Sequence, residues 1–157
     1  MKRIKSICCV VLAILLLGQT ICTWGAETEW YTLQEIDDQN MGEFGNEKTG
    51  IVPYSRYILG TSVSLKRPSS GVIWMRSEVY CTETMSKITT VFTLQKKVGS
   101  SWVDVGQGTV SVSNSNSMYK TMEATGVSSG TYRCIANTQV VSKSGYVETS
   151  SVVSGSI

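Results

Sequence analysis

Ile73-Trp74-Met75-Arg76-Ser77-Glu78-Val79-Tyr80-Cys81-Thr82 decides the fold class. Its odd positions carry Ile, Met, Ser, Val and Cys, and its even positions carry Trp, Arg, Glu, Tyr and Thr. Side chains on a strand point to alternate faces, so this period of two predicts a half-buried β-strand with Ile73, Met75, Ser77, Val79 and Cys81 inward. A second run repeats the pattern, with Tyr132, Cys134, Ala136, Thr138 and Val140 inward against Arg133, Ile135, Asn137 and Gln139 outward. Between them, Ile88, Thr90, Phe92 and Leu94 share one face. A hairpin then leads to Trp102, Val103, Val105, Val110 and Val112.

Turn-forming stretches separate these runs: Arg67-Pro68-Ser69-Ser70-Gly71, Val98-Gly99-Ser100-Ser101, Ser113-Asn114-Ser115-Asn116-Ser117, Val127-Ser128-Ser129-Gly130 and Ser142-Lys143-Ser144-Gly145. Further runs at 57 to 66, 119 to 124 and 146 to 153 bring the count to about seven strands. That is the number expected of a small all-β antiparallel sandwich.

The N-terminus has a different character. Lys2, Arg3 and Lys5 precede an apolar stretch from Ile7 to Leu17 and a small-residue exit around Thr23, Gly25 and Ala26, the three-part pattern of a secretory signal peptide over residues 1–26. Cleavage is expected after Gly25 or Ala26. The apolar stretch is shorter than the roughly 20 residues a spanning helix needs, so no stable membrane insertion is expected after cleavage. Ile21 stands before Cys22 where a lipoprotein signal wants a small residue.

Loss of Lys2, Arg3 and Lys5 takes the basic count from 14 to 11 against 12 acidic residues, a mature net charge of −1. Glu27, Glu29, Glu35, Asp37, Asp38, Glu43 and Glu47 lie before residue 50 with only Lys48 opposing them. Residues 27–50 therefore read as an acidic flexible spacer, with Trp30, Leu33 and Ile36 able to share one face of a helical turn or two. Residues 51–157 read as the β-sandwich domain. Its basic residues are scattered over the strands and form no stripe, which argues against nucleic acid.

Export leaves Cys81 and Cys134 as the mature cysteines, in a compartment where disulfides persist, and one intramolecular pairing is open to them. Such a bridge would close a loop of about fifty residues and contribute roughly 4 kcal/mol. Redox and zinc readings find no Cys-x-x-Cys and no histidine.

The absence of histidine also removes the usual general base and the Ser-His-Asp and Cys-His arrangements. Ser117-Met118-Tyr119-Lys120 spells S-x-x-K and Lys48-Thr49-Gly50 spells K-T-G, but in the reverse of the order penicillin-binding enzymes use. Glu78, Glu83, Asp104, Glu123 and Glu148 are too scattered to suggest a glycosidase pair. Asp37, Asp38, Asn40 and Glu43 lack the regular spacing of a calcium loop. No catalytic residue, metal or cofactor is expected, and no phosphate-cradling glycine loop is present. Binding remains, with outward-facing Trp74, Tyr80 and Ile135 as the candidate surface, joined by Tyr146 at an edge.

Gly130-Thr131-Tyr132-Arg133-Cys134 resembles the tyrosine corner and second cysteine of an immunoglobulin domain, with Cys81 in the place of the first. Phe92, eleven residues after Cys81, would replace the core tryptophan of such domains. Ile51-Val52-Pro53-Tyr54-Ser55-Arg56-Tyr57-Ile58, Leu94-Gln95-Lys96-Lys97-Val98-Gly99-Ser100-Ser101-Trp102 and Gly130-Thr131-Tyr132-Arg133 together resemble a family of small secreted proteins of Gram-positive, clostridia-like bacteria that has no assigned activity. That resemblance implies export and a compact β domain, and it carries no functional residue across. The expectation is a secreted, extracellular binding or structural protein, loosely associated with the cell wall, whose partner is a protein or a wall polymer. The alternative is a toxin-like or inhibitor-like effector acting on another protein or cell.

Overall fold

The period of two persists much further along the chain than one strand of ordinary length. In the computed structural model, which describes residues 29–37, 41–44, 48–50 and 55–157, seven strands form one hydrogen-bonded ladder. They are β1 (Tyr31–Ile36), β2 (Lys48–Gly50), β3 (Ile58–Ser69), β4 (Val72–Val98), β5 (Ser101–Thr125), β6 (Tyr132–Val141) and β7 (Val147–Val153). The signal segment 1–26 and the motif residues 51–54 lie outside the described residues.

The two long strands make the sandwich. β3 pairs with β4 over Val72 to Cys81, whereas β6 pairs with β4 over Lys87 to Lys96. β5 follows β4 along both halves, antiparallel, with a register shift between Tyr80 and Met85 opposite Ser117 and Ser115. Residues 81–85 and 113–117 are thus a shared corner at which both strands cross from one layer to the other. Asn114 has φ 52° there, and the Ser115 hydroxyl donates to the Ser117 carbonyl at 2.6 Å and accepts from its N–H at 3.2 Å. A short polar side chain closing a local turn is the physical use of such a Ser/Asn cluster. The folding-back brings the Met122 side chain against Gly108 of the same strand, where an added Cβ would lie 2.5 Å from Met122 Cε.

The result is an all-β sandwich whose two layers are antiparallel and share β4 and β5. One layer holds β2, β3, the first half of β4 and the second half of β5. The other holds β7, β6, the second half of β4 and the first half of β5. Ile73, Met75, Val79, Ile88, Phe92, Leu94, Tyr132, Cys134 and Val140 are all fully or almost fully buried between them, as their alternation predicts. Phe92 occupies the core without exposure, the place expected for it. Tyr132 completes the corner, donating from its hydroxyl to the Ser128 carbonyl at 3.2 Å.

Two features differ from the sequence reading. First, the acidic segment contributes strands. β1 starts beside Gly106 and Gln107, parallel to β5, and then steps across so that Leu33 to Ile36 lie opposite Ala124 to Thr121 in descending order. It thereby touches both layers. Tyr31 and Leu33 are buried while Thr32 and Gln34 are exposed, a strand period within the stretch read as a flexible spacer. The β segment forms because the inward glycines at 106 and 108 leave room for a backbone: Tyr31 O lies 2.8 Å from where a Gly106 Cβ would stand.

Second, Cys81 and Cys134 are two separate buried thiols, which corrects the expected disulfide. Cys81 sits at the corner end of the sandwich opposite Ile58, whose N–H donates to Glu148. Cys134 sits toward the other end, opposite Leu94 and bonded through its N–H to Ser154 Oγ at 2.9 Å. Glu148 is opposite Val140, six residues along β6 from Cys134, or about 20 Å of strand. A disulfide needs Cα atoms within about 7 Å. Both cysteines do face the core, as parity requires, but the folding of β4 carries them to different levels of it.

Candidate functional site

Each layer has an outward face, and the two are built differently. On the β3, β4, β5 layer, outward residues include the cations Lys66 and Arg76, the aromatics Trp74 and Tyr119, and the carboxylate Glu123. Trp74 Nε1 donates to Glu123 Oε2 at 2.8 Å. Phe44 stacks on Trp74 with ring centroids 6.4 Å apart, and the Arg76 guanidinium lies between the Phe44 ring at 3.8 Å and the Tyr119 ring at 4.6 Å. Lys66 Nζ donates to the Met41 carbonyl at 2.8 Å. The segment 41–44 is therefore a roof over this face. Beneath or beside it Ser64, Arg76 and Thr121 are buried despite their outward parity.

The acidic segment is held at two further points. Lys120 donates to Glu35. At the tyrosine corner, Glu29 accepts from the Tyr31 hydroxyl, from Ser128 Oγ at 2.8 Å and from Lys96 Nζ at 3.1 Å. The Tyr31 bond first, then those of Ser128 and Lys96, hold the Glu29 carboxyl down at about 2. The Glu29 bond in turn pushes Lys96 above the usual lysine range. Burial, then the Glu29 bond, raises the Tyr31 phenol, so it stays a neutral donor.

Lys96 Nζ lies 2.6 Å from Ser128 Oγ, a Ser-Lys contact between residues 32 apart that no motif marks. It is not an activated nucleophile. The ammonium that would have to act as base is held protonated by Glu29, and the serine hydroxyl donates to a carboxylate too weakly basic to take its proton. The S-x-x-K residues have separate settings: Ser117 lies in β5 opposite Tyr80, and Lys120 is tied to Glu35.

Glu148 is a structural cradle. Its carboxylate accepts from Ser55 Oγ at 2.8 Å and from the N–H groups of Arg56, Tyr57 and Ile58 at 2.6, 2.9 and 3.1 Å. Burial works against its ionisation, but those donors outweigh it and hold the carboxyl below the usual range. Tyr146 packs on Tyr57 beside it, with centroids 5.6 Å apart.

The outward face of the other layer has no segment laid over it among the described residues, and only Thr93 in it is buried, with the Gln107 amide donating to its hydroxyl at 3.4 Å. Register aligns Gln107, Thr93, Ile135 and Val153 in one row, Thr109, Val91, Asn137 and Ser151 in the next, and Ser111, Thr89, Gln139 and Thr149 in a third. These twelve side chains include no charge and no aromatic ring. Charges flank them: Gln95 bridges Asp104 at 2.6 Å and Arg133 at 2.7 Å beyond one end, with Arg133 over the half-buried Trp102 ring, and Lys87 follows the other. A shallow cleft of about 400 Å³ runs over β4, β6 and β7 across Thr89, Val91, Asn137, Gln139, Thr149 and Ser151.

The sequence-derived candidates do not converge. Trp74 is half-buried under Phe44, Tyr80 is exposed on the same layer six residues away and donates to Glu78 at 3.2 Å, and Ile135 belongs to the uncovered face of the other layer. Asn137 and Gln139 were legible as outward by parity. Their partners Thr149 and Ser151 were not, because only the β6–β7 register sets them side by side.

No protein-family model and no curated protein matches the chain. Among solved structures it is similar to the GAE domain of GGA2p from Saccharomyces cerevisiae, at 14% identity over 68% of this chain and 94% of that one, with a TM-score of 0.29.

The two thiols are protected by the layers themselves. Burial, then the Glu148 charge, pushes Cys81 up to about 11, and burial pushes Cys134 higher still. The expected outcome is two free thiols in the intact mass of the native protein, neither alkylated until the sandwich unfolds. A mass two hydrogens lower would restore the bridge and overturn the strand levels described above.

Proposed function

We propose that this chain is an exported, non-enzymatic binding protein that works at or outside the bacterial surface through the uncovered face of the β4, β6, β7 layer. The three-part segment at residues 1–26 supports export. The observation that carries the binding reading is the contrast between the faces. Lys66, Trp74 and Arg76 of the β3, β4, β5 face are already engaged with the 41–44 segment, while the side chains of Asn137, Gln139, Thr149 and Ser151 stand exposed and, among the described residues, make no side-chain hydrogen bond. The Ser-Lys contact favours this reading over hydrolysis, because Glu29 keeps its lysine charged.

Co-sedimentation of the mature protein with cell walls of the producing bacterium, at low and high salt, tests the proposal. Contact through an uncharged face is expected to survive 1 M salt, where the Debye length is about 3 Å. The double variant Asn137→Arg/Gln139→Arg is expected to abolish it. Binding that disappears with salt and ignores these substitutions would move the function to the scattered basic residues, and no binding at all would remove the wall reading.

A further inference from the structure

We infer that the uncovered face is a site for a neutral polysaccharide chain, an inference that rests on the binding role proposed above. Four strands about 4.8 Å apart and three rows about 6.8 Å apart make a grid roughly 14 Å on each side. Its central members are two amides, Asn137 and Gln139, and the hydroxyls of Thr89, Thr109, Ser111, Thr149 and Ser151. Each can both donate and accept. Sugar hydroxyls have the same dual capacity, and a linear glycan presents them at intervals along one direction, as the shallow cleft does.

The apolar members fit the same ligand. Val91 lies half-buried in the cleft, and Ile135 beside the exposed Val153 borders it, so aliphatic surface is available to the C–H faces of a pyranose ring. The absence of charge excludes the other polymers. A nucleic acid or an anionic wall polymer needs lysine or arginine along its path, and the three rows contain neither. A protein partner would be anchored by tryptophan, tyrosine or arginine, which these rows also lack. Charged residues stand only at the borders, in the Asp104, Gln95, Arg133 row and at Lys87.

The test is an amide-resolved NMR titration of the mature protein with three neutral hexasaccharides, cellohexaose, N-acetylated chitohexaose and maltohexaose. At least one is expected to shift Val91, Asn137, Gln139, Thr149 and Ser151 at millimolar concentration and to leave the Trp74 and Arg76 amides in place. Asn137→Arg/Gln139→Arg is expected to weaken that binding at least tenfold. Both side chains are exposed, and an unchanged spectrum for the core residues shows that the variant folds.

If none of the three sugars moves those amides, the inference is wrong. Should the variant nevertheless lose wall sedimentation, the face still binds and only its ligand class falls. Sugar-induced shifts that persist in the variant would overturn the site itself. Sugar binding without wall binding would support the site and remove the wall as its target.

Discussion

Both layers of the sandwich obey the same alternation, yet their outward faces have opposite fates. Arg76 and Thr121 point outward and are buried, whereas Asn137 and Gln139 point outward and are exposed. Parity distinguishes a core face from the opposite face, and it says nothing of whether that opposite face will be covered. Charge pattern carries that information here. The covered face holds Lys66 and Arg76 against the Phe44 ring, and the acidic segment that supplies Phe44 is pinned away from that face by ion pairs from Glu35 to Lys120 and, at the tyrosine corner, from Glu29 to Lys96. The uncovered face offers such a segment no charge to meet.

Removing residues 27–50 should therefore have the largest effect. Burial of Tyr31, Leu33 and Met41 would be lost, at about 1.5 to 3 kcal/mol each, so urea unfolding is expected to show a destabilisation of about 5 kcal/mol. Arginine at 137 and 139, on the uncovered face, should stay within about 0.5 kcal/mol of the parent. A truncation that costs less than about 1 kcal/mol would show that the acidic segment rests on the domain without being part of it.

Gly106→Ala probes the same seam at one atom. The new Cβ would meet the Tyr31 carbonyl at 2.8 Å, and a backbone oxygen cannot swing aside as a side-chain tip does. A loss of about 2 kcal/mol is expected, with β1 amides exchanging faster. Thr109→Ala, on the outward side of the same strand, should change stability by less than about 0.5 kcal/mol. Equal effects at the two positions would remove the distinction between seam and face.

The layers themselves were legible in the sequence, because alternation at 73–82, 88–94 and 132–140 follows directly from a half-buried pleat. The corners were not. Ser113 to Ser117 reads as a turn between two strands, but β5 runs on through it with Asn114 alone in the left-handed region, and whether such a cluster reverses the chain or tilts it into another layer depends on what β4 does alongside. The misplaced cysteine pairing follows from the same gap: parity gave the facing of Cys81 and Cys134, while their levels depend on where β4 folds. The engaged state of Trp74 was hidden for a different reason. It requires Phe44, thirty residues upstream in a stretch with no period.

Ser77→Ala sharpens the comparison within the core. Ser77 Oγ is buried and, among the described residues, has no hydrogen-bond partner, whereas the buried Thr90 and Thr138 hydroxyls of the other layer satisfy each other at 2.7 Å. Removing an unsatisfied hydroxyl relieves its desolvation cost, so the variant is expected to gain up to about 1 kcal/mol. Destabilisation of that size would mean that the hydroxyl finds a partner in solution.

Acid should separate the faces with the smallest change. Glu29 has a carboxyl held at about 2 against an ordinary value of 4.5, so its folded form binds a proton less readily than its unfolded form. The contribution of its bonds is complete above about pH 4.5 and is lost as the pH falls toward 2. The carboxylate is exposed, and salt will screen its attraction to Lys96, so the effect should be local rather than global. Amide shifts at Tyr31, Ser128 and Tyr132 are expected to titrate in that window, while those of Asn137, Gln139 and Ser151 stay flat, since none of the three rows carries a titratable group. Glu29→Gln should abolish the first set of shifts and leave the second unaffected. A Glu29 carboxyl titrating near 4.5 would mean that the start of β1 is not held at the tyrosine corner, and the seam between the layers would then begin only at Leu33.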